Sequence, residues 1–512
     1  MRVAVATSST LAADAAREMA ERGGNAVDCA IAAALVTMNT QPGVCSLAGG
    51  AYVTVWPAGM AAVTIDGNVA IPGLGAGADD GAAGAVPVHM DYGGGIDTLV
   101  GAGSVAVPGA LAALDKASAE YGRLAWGDLF TPTVRAAQEG FPLPRACHYY
   151  LQFSGEPVFG RSRDGFAALH YADGRLRERG ARISVPHLAD SLAAIAEDGC
   201  GTFYAGDIAE AIVDHVRSGG GRLTMADMRE YRPIVRPALT VDLDGWTVAV
   251  NPPPAIGGAV LAAMLTAFRA QTANEWDERG ARALLDVQRA VLGFRRETLD
   301  LSDDVPRDAA LLLERVRGGR LPAPGVSGAT VHTSAVDDSG LGCAVTASAG
   351  YSSGEMPEGT GLWLNNCLGE LELNRRGLSA SPAGARLPSN MTPAVARRTR
   401  TVLAVGSPGA DRITTALHQF MVHFIQRGLT LTAAIAHPRL HLEFTQEGMK
   451  VAIEPGLEPG DCGLPVTRYP DLSMYFGGVA AALFDGELGF DVAADPRREG
   501  ATFSSGAQAG DR

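Results

Sequence analysis

Cysteine is scarce in this chain. There are seven in 512 residues, an odd number, and no two lie close together. That excludes a disulfide framework and a cysteine-rich zinc module, and fits reduced, mostly buried thiols. Long apolar runs are missing as well. Cys29 to Met38 and Ile256 to Phe268 are the longest, and both fall short of the roughly 20 residues that a membrane-spanning helix needs. The start, from Met1 to Thr10, has no apolar core of signal-peptide length, so the expected location is cytoplasmic. Positive charge is in deficit: 42 Lys and Arg against 56 Asp and Glu give a net charge of −14. Such a surface repels nucleic acid and anionic membranes, so neither is an expected partner. What remains is 47% apolar and 19% charged, the balance of a well-buried globular chain.

Taken in order, Ser8-Ser9-Thr10 can cap a helix to about Arg22, stopped by Gly23-Gly24, and Asn25 can cap a second. Ala26, Val27, Ala30, Ile31, Ala34 and Leu35 are small and apolar at helical spacing, so this second helix is expected to be deeply buried. Val53-Thr54-Val55-Trp56 and Ala62 to Asp66 predict a hairpin around Pro57-Ala58-Gly59. The stretch 73–102, rich in Gly, Ala and Asp, reads as a loop or insert. Helix signals dominate 257–315, with Leu284, Val287, Val291 and Phe294 as a core stripe. Val402 to Val405 reads as a buried strand running into Gly406-Ser407-Pro408-Gly409-Ala410, with a helix from about Arg412. Ser504 to Arg512 reads as a frayed end.

The stretch from Thr330 to Ser348 organises the rest. Val331, Thr333, Ala335 and Cys343, Val345, Ala347 alternate at strand period around an Asp337-Asp338-Ser339-Gly340 turn. A flexible Gly/Pro lead-in, Gly318 to Ala329, comes before it. A Thr opening a strand is ordinarily just a β-branched residue. If the chain were cut before Thr330, however, that residue would carry a nucleophilic hydroxyl and a basic amine together.

Thr330, His332 and the run Ser334-Ala335-Val336-Asp337 resemble the β-subunit start of the gamma-glutamyltransferase (gamma-glutamyltranspeptidase) family. Landmarks from Gly23-Gly24-Asn25-Ala26-Val27-Asp28 to Ala436-His437-Pro438-Arg439 follow the family's order over nearly the whole chain. The resemblance implies an α/β (α+β) fold, a four-layer αββα sandwich of the N-terminal-nucleophile hydrolase type. It implies a precursor cut between Ala329 and Thr330 into a large segment, 1–329, and a small one, 330–512, interleaved in one fold. It implies no cofactor and no metal, a small-molecule amide or amino-acid-like substrate, and α/β subunits from one precursor, with a homodimer of these left open.

Site residues carry over by position. Thr330 is the implied nucleophile, Ser348 a hydroxyl that assists it, and Gly409 and Ala410 the donors of the oxyanion hole. Ala410 stands where the family has Gly, so the hole is expected to survive if the turn needs no positive φ there. His332 reads as structural, since the base is the amine. The substrate end departs from the family. Asn68 stands in place of the Arg that holds the glutamyl α-carboxylate, with Ser389 and Asn390 in place of two serines. Gly350, Cys367 and Glu370 stand where Asn, Gln and Asp hold the amino group, and Glu370 alone is read as keeping the charge. A bidentate Arg–carboxylate contact is a strong one to lose, unless Arg386 supplies the anchor instead. Glutathione hydrolysis is the default implied activity. The rivals are an acylase or C–C bond hydrolase of the same family working in antibiotic or other secondary metabolism on a non-glutamyl substrate, and a non-catalytic scaffold.

Overall fold

The computed structural model describes all residues except 78–82, 93–94, 270–276, 319–329, 379, 446–447 and 506–512. The lead-in to Thr330 is therefore outside the described residues, apart from Gly318. Two antiparallel sheets face each other. The first has seven strands, in the spatial order Ala501–Ser504, Val3–Thr7, Val331–Asp337, Gly342–Ser348, Gly50–Trp56, Val63–Gly67, Ile234–Pro237. The second has six: Gly489–Ala494, Ala480–Asp485, Thr401–Gly406, Ala394–Arg398, Trp246–Val250, Leu239–Leu243. A thin layer of Ala and Val, including Ala4, Val336, Ala344, Val395 and Ala404, packs between them.

Helices cover both outer faces, completing the αββα order. On the first sheet lies Ala26–Thr40, buried at every one of its 15 positions. Asn25 and Asp28 form a reciprocal cap at its start. The Ala26 N–H donates to Asp337 Oδ2 at 3.1 Å, which ties the helix to the far end of strand Val331–Asp337. Asp337 also accepts from Ser339 N at 2.9 Å, so one carboxylate holds both the hairpin turn and the helix. The second sheet is covered by Ile256–Arg269, Glu278–Glu297, Val305–Arg317 and Arg412–Met421. All seven cysteines are free thiols, five of them buried. Among the described residues no helix is long and apolar enough to cross a membrane.

Two sequence readings are corrected. The 73–102 stretch is not all loop, because Val86–Met90 and Ile96–Val100 pair as an antiparallel hairpin. Its alternation is masked in the sequence by the glycines around it. Ser504 is not frayed either. It pairs with Ala4 at the edge of the first sheet, and the Ser505 N–H donates to the Val3 carbonyl at 2.9 Å.

Candidate active site

One rung of the first sheet assembles half of the site. The hairpin register pairs Val331 with Ala347, so Thr330 comes opposite Ser348 one step on. Ser348 pairs with Gly50, and Gly50, one step past the Ala51–Gly67 pair, comes opposite Asn68. Thr330, Ser348, Gly50 and Asn68 therefore lie in a row across four strands. Gly50 has to be small: a Cβ there would sit 2.7 Å from Asn68 Oδ1.

The second sheet supplies the other half. Strand Thr401–Gly406 runs out into Ser407–Asp411, and Leu387–Pro393 leads into its neighbour Ala394–Arg398. Ala394 pairs with Val405, so both loops emerge at the same rim. The two rims enclose a cleft of about 390 Å³. Thr330, Ser348, Asn68, Glu370, Ser389, Asn390 and Ala410 all line it, with Cys367 beside Glu370. Gly409 immediately precedes Ala410 in the same turn.

That turn has φ of +132° at Gly409 and +69° at Ala410. The condition placed on Ala410 is thus answered against expectation: the turn does need positive φ there, and an L-alanine adopts it. Left-handed backbone at a non-glycine residue costs roughly 1 kcal/mol and is found where a site demands it. Among the described residues, neither the Gly409 nor the Ala410 N–H has an acceptor. Two unengaged donors beside a cleft that holds a threonine hydroxyl are what an oxyanion hole requires.

His332 does not line the cleft. Its ring lies between the sheets, bonded to Thr346 Oγ1 at 2.8 Å and Ser334 Oγ at 2.7 Å. The Ser334 hydroxyl donates to the Ala480 carbonyl, so it accepts from Nε2–H, and Nδ1 accepts from Thr346. Burial lowers the ring's pKa to about 3. The imidazole braces Gly406, whose position leaves no room for a Cβ.

The substrate end differs from its sequence reading in three ways. Asn68, which stands in place of the family's Arg, is engaged elsewhere, its Nδ2 donating to the Leu387 carbonyl at 2.8 Å. Glu370 is read as keeping a charge, but burial, reinforced by Glu372, pushes its carboxyl well above the usual range and so works against that charge. Arg386 was the reserve anchor, but it pairs with Asp66 at 3.5 Å and stacks 4.3 Å over Tyr231. Asp66 also takes Arg236 at 2.9 Å. No Arg, Lys or His lines the cleft among the described residues.

Sequence reasoning missed Arg295 and Asp411. Both are fully buried and bond each other at 2.7 Å. Asp411 Oδ1 also accepts from Asn390 Nδ2 at 3.0 Å. The available signal was Arg295 itself, four residues after Val291 on the apolar stripe, where a charge needs a buried partner.

A sequence profile described as "Gamma-glutamyltranspeptidase" matches residues 12–505. The glutathione hydrolase proenzyme of Escherichia coli (strain K12) is 26% identical over 494 residues, covering 89% of this chain and 82% of the relative. The glutathione hydrolase 5 proenzyme of Rattus norvegicus is 28% identical over 488 residues, covering 86% and 82%. In fold the chain is similar to a crystal structure of cephalosporin acylase from Bacillus halodurans, with a TM-score of 0.78 at 24% identity, covering 98% of this chain and 95% of that one.

Proposed function

This chain belongs to the gamma-glutamyltranspeptidase family, and from that premise we propose that it is a self-processing hydrolase or acyltransferase whose nucleophile is Thr330. The observation that carries the reading is the meeting of Thr330 with the two unengaged N–H groups of Gly409 and Ala410 at one cleft. In maturation the Thr330 hydroxyl attacks the Ala329 carbonyl. The peptide nitrogen leaves as the new α-amine, and water hydrolyses the ester that formed. The products are the segments 1–329 and 330–512. Their interleaving is supported by strand Val331–Asp337, which lies between Val3–Thr7 on one side and its own hairpin partner on the other.

In turnover the free amine takes the hydroxyl proton as Thr330 Oγ attacks the substrate carbonyl. The oxyanion is held by Gly409 and Ala410 N–H, and the leaving amine departs with the proton. Water or a second amine then resolves the acyl-Thr330 ester. Ser348, opposite Thr330, assists its activation. His332 takes no part in proton transfer.

Glutathione hydrolysis is the activity for which the relatives above are named. The cleft favours a second reading, an acylase for a non-glutamyl donor, because among the described residues no Arg, Lys or His lines it. Mass spectrometry of the purified protein tests the common core: a fragment beginning at Thr330 is expected. Thr330→Ala should remain one inactive chain, and Thr330→Ser should cut slowly. A fully active, uncut protein would overturn the reading, and one intact, inert band would favour the scaffold.

A further inference from the structure

The loop from Leu387 to Pro393 forms one wall of the cleft through Pro388, Ser389, Asn390 and Met391. Four of its carbonyl oxygens are already engaged. Leu387 accepts from Asn68 Nδ2 at 2.8 Å. Ser389 accepts from the N–H groups of Ile256 and Gly257, both at 3.0 Å, at the start of helix Ile256–Arg269. Asn390 accepts from Thr392 Oγ1 at 2.8 Å, and Met391 from Asn251 Nδ2 at 2.7 Å. The Ser389 hydroxyl is placed differently. Its oxygen accepts the Met391 N–H at 3.2 Å, and its proton has no acceptor among the described residues.

We propose that the acyl donor carries an uncharged tail ending in a hydrogen-bond-accepting oxygen, such as a carboxamide, and that the Ser389 hydroxyl donates to that oxygen. The inference rests on the acyl-enzyme reading above and goes further, by naming the substrate class.

Either charge on the tail is disfavoured. The buried cations nearest the site are engaged away from it. Arg295 is shared by Asp300 and Asp411. Arg412, beside Asp411, donates through Nε to the Tyr475 carbonyl at 3.0 Å and lies 4.6 Å over the Tyr475 ring. Neither guanidinium lines the cleft. A carboxylate tail would therefore shed its water with no countercharge in return. An ammonium tail would find the wall's carbonyls committed. Its remaining partner is Glu370, the carboxyl that lines the cleft, and ionising that group is opposed by burial and by Glu372. A neutral oxygen costs less to desolvate than either ion and gains the Ser389 O–H.

The test uses four p-nitroanilide donors of similar length: 5-amino-5-oxopentanoyl, which ends in a carboxamide, its carboxylate isostere glutaryl, the cationic 5-aminopentanoyl, and the apolar hexanoyl. Wild type should prefer the carboxamide over both charged donors by at least about tenfold in kcat/KM. Ser389→Ala should lower the carboxamide-to-hexanoyl ratio about three- to tenfold, the scale of one hydrogen bond, mainly through KM. Glu370→Gln fixes that group uncharged, so the carboxamide-to-glutaryl ratio should persist in it. A collapse of the ratio there would assign the discrimination to a charged Glu370 and overturn the inference. Each variant is first checked for the Thr330 fragment and a cooperative melt, and the wild-type preferences stand as a test even if a variant does not fold. A mature wild type that reacts with p-nitrophenyl acetate but shows no preference for the carboxamide overturns this inference alone, as does an unchanged carboxamide-to-hexanoyl ratio in folded Ser389→Ala. A wild type that stays uncut and does not react with p-nitrophenyl acetate overturns both this and the function it rests on.

Discussion

Ala410 holds a left-handed conformation that glycine would adopt without strain, while Gly409, at φ +132°, has a Cβ-free approach to Gly477. The two positions should therefore answer opposite substitutions differently. Ala410→Gly relieves strain and should raise stability by up to about 1 kcal/mol with turnover preserved. Gly409→Ala puts a Cβ 2.7 Å from Gly477 Cα and should lower kcat by about a hundredfold, the scale of one lost oxyanion donor. Thermal melts and steady-state kinetics on the mature protein check both, and near-normal turnover in a folded Gly409→Ala variant would leave the turn a structural role only. A second residue-scale outcome concerns Asn68. With its amide on the Leu387 carbonyl and no cation lining the cleft among the described residues, γ-glutamyl-p-nitroanilide should be a poor donor. A neutral contact in place of a charge-assisted one loses about 1–3 kcal/mol, which is roughly ten- to a hundredfold in kcat/KM. Turnover at the rate of an ordinary glutathione hydrolase would refute that assignment.

At the scale of the element, strand Val331–Asp337, which follows Thr330, and strand Thr401–Gly406 are braced by one ring. His332 fills the space above Gly406, where a Cβ would come 2.2 Å from its Cε1. Gly406→Ala should cost about 1–3 kcal/mol through overpacking. His332→Ala should cost a comparable amount through the cavity it leaves and the two bonds it breaks. Because the two changes relieve each other, the double variant should be less destabilised than the sum, a coupling that denaturant titration measures. His332 is neutral at any working pH, being lowered to about 3. Any acid limb in the kcat/KM profile near neutrality should keep its position in a folded His332→Gln variant. A limb that moves with this substitution would make His332 a proton carrier after all.

Across the whole molecule, burial of ionisable groups makes stability depend on pH. His418 lies under the second sheet's helices, edge-on to Phe268, with neither ring nitrogen hydrogen-bonded among the described residues. Burial lowers its pKa to about 3. The unfolded chain therefore binds a proton near 6.5 that the folded chain refuses, and this group's contribution is lost as pH falls from about 6.5 toward 3. Between pH 7 and pH 5 the loss from one such histidine is about 2 kcal/mol. Raised carboxyls such as Asp411 work in the opposite sense, so the clean measurement is a difference. Urea titrations at the two pH values should show wild type losing about 2 kcal/mol more than His418→Leu. Equal pH dependence in the two proteins would show that His418 titrates normally.

The sequence by itself determined the elements and their order. Strand alternation around Thr330, the Asn25 cap and the apolar stripes are local, and local chemistry is what periodicity reports. It also named the cleft's polar residues one by one, because family landmarks travel with position in the chain. Tertiary structure alone decided what those residues offer. Where the Asn68 and Asn390 side-chain N–H groups donate depends on Leu387 and Asp411. Whether Glu370 is charged depends on its desolvation beside Glu372. Whether Arg386 is available depends on Asp66. Arg295 reaches the site across 116 residues to Asp411, a contact that no local pattern encodes. Hydrogen-bond direction and ionisation are set by neighbours in space, so they appear only once the two sheet rims are brought together.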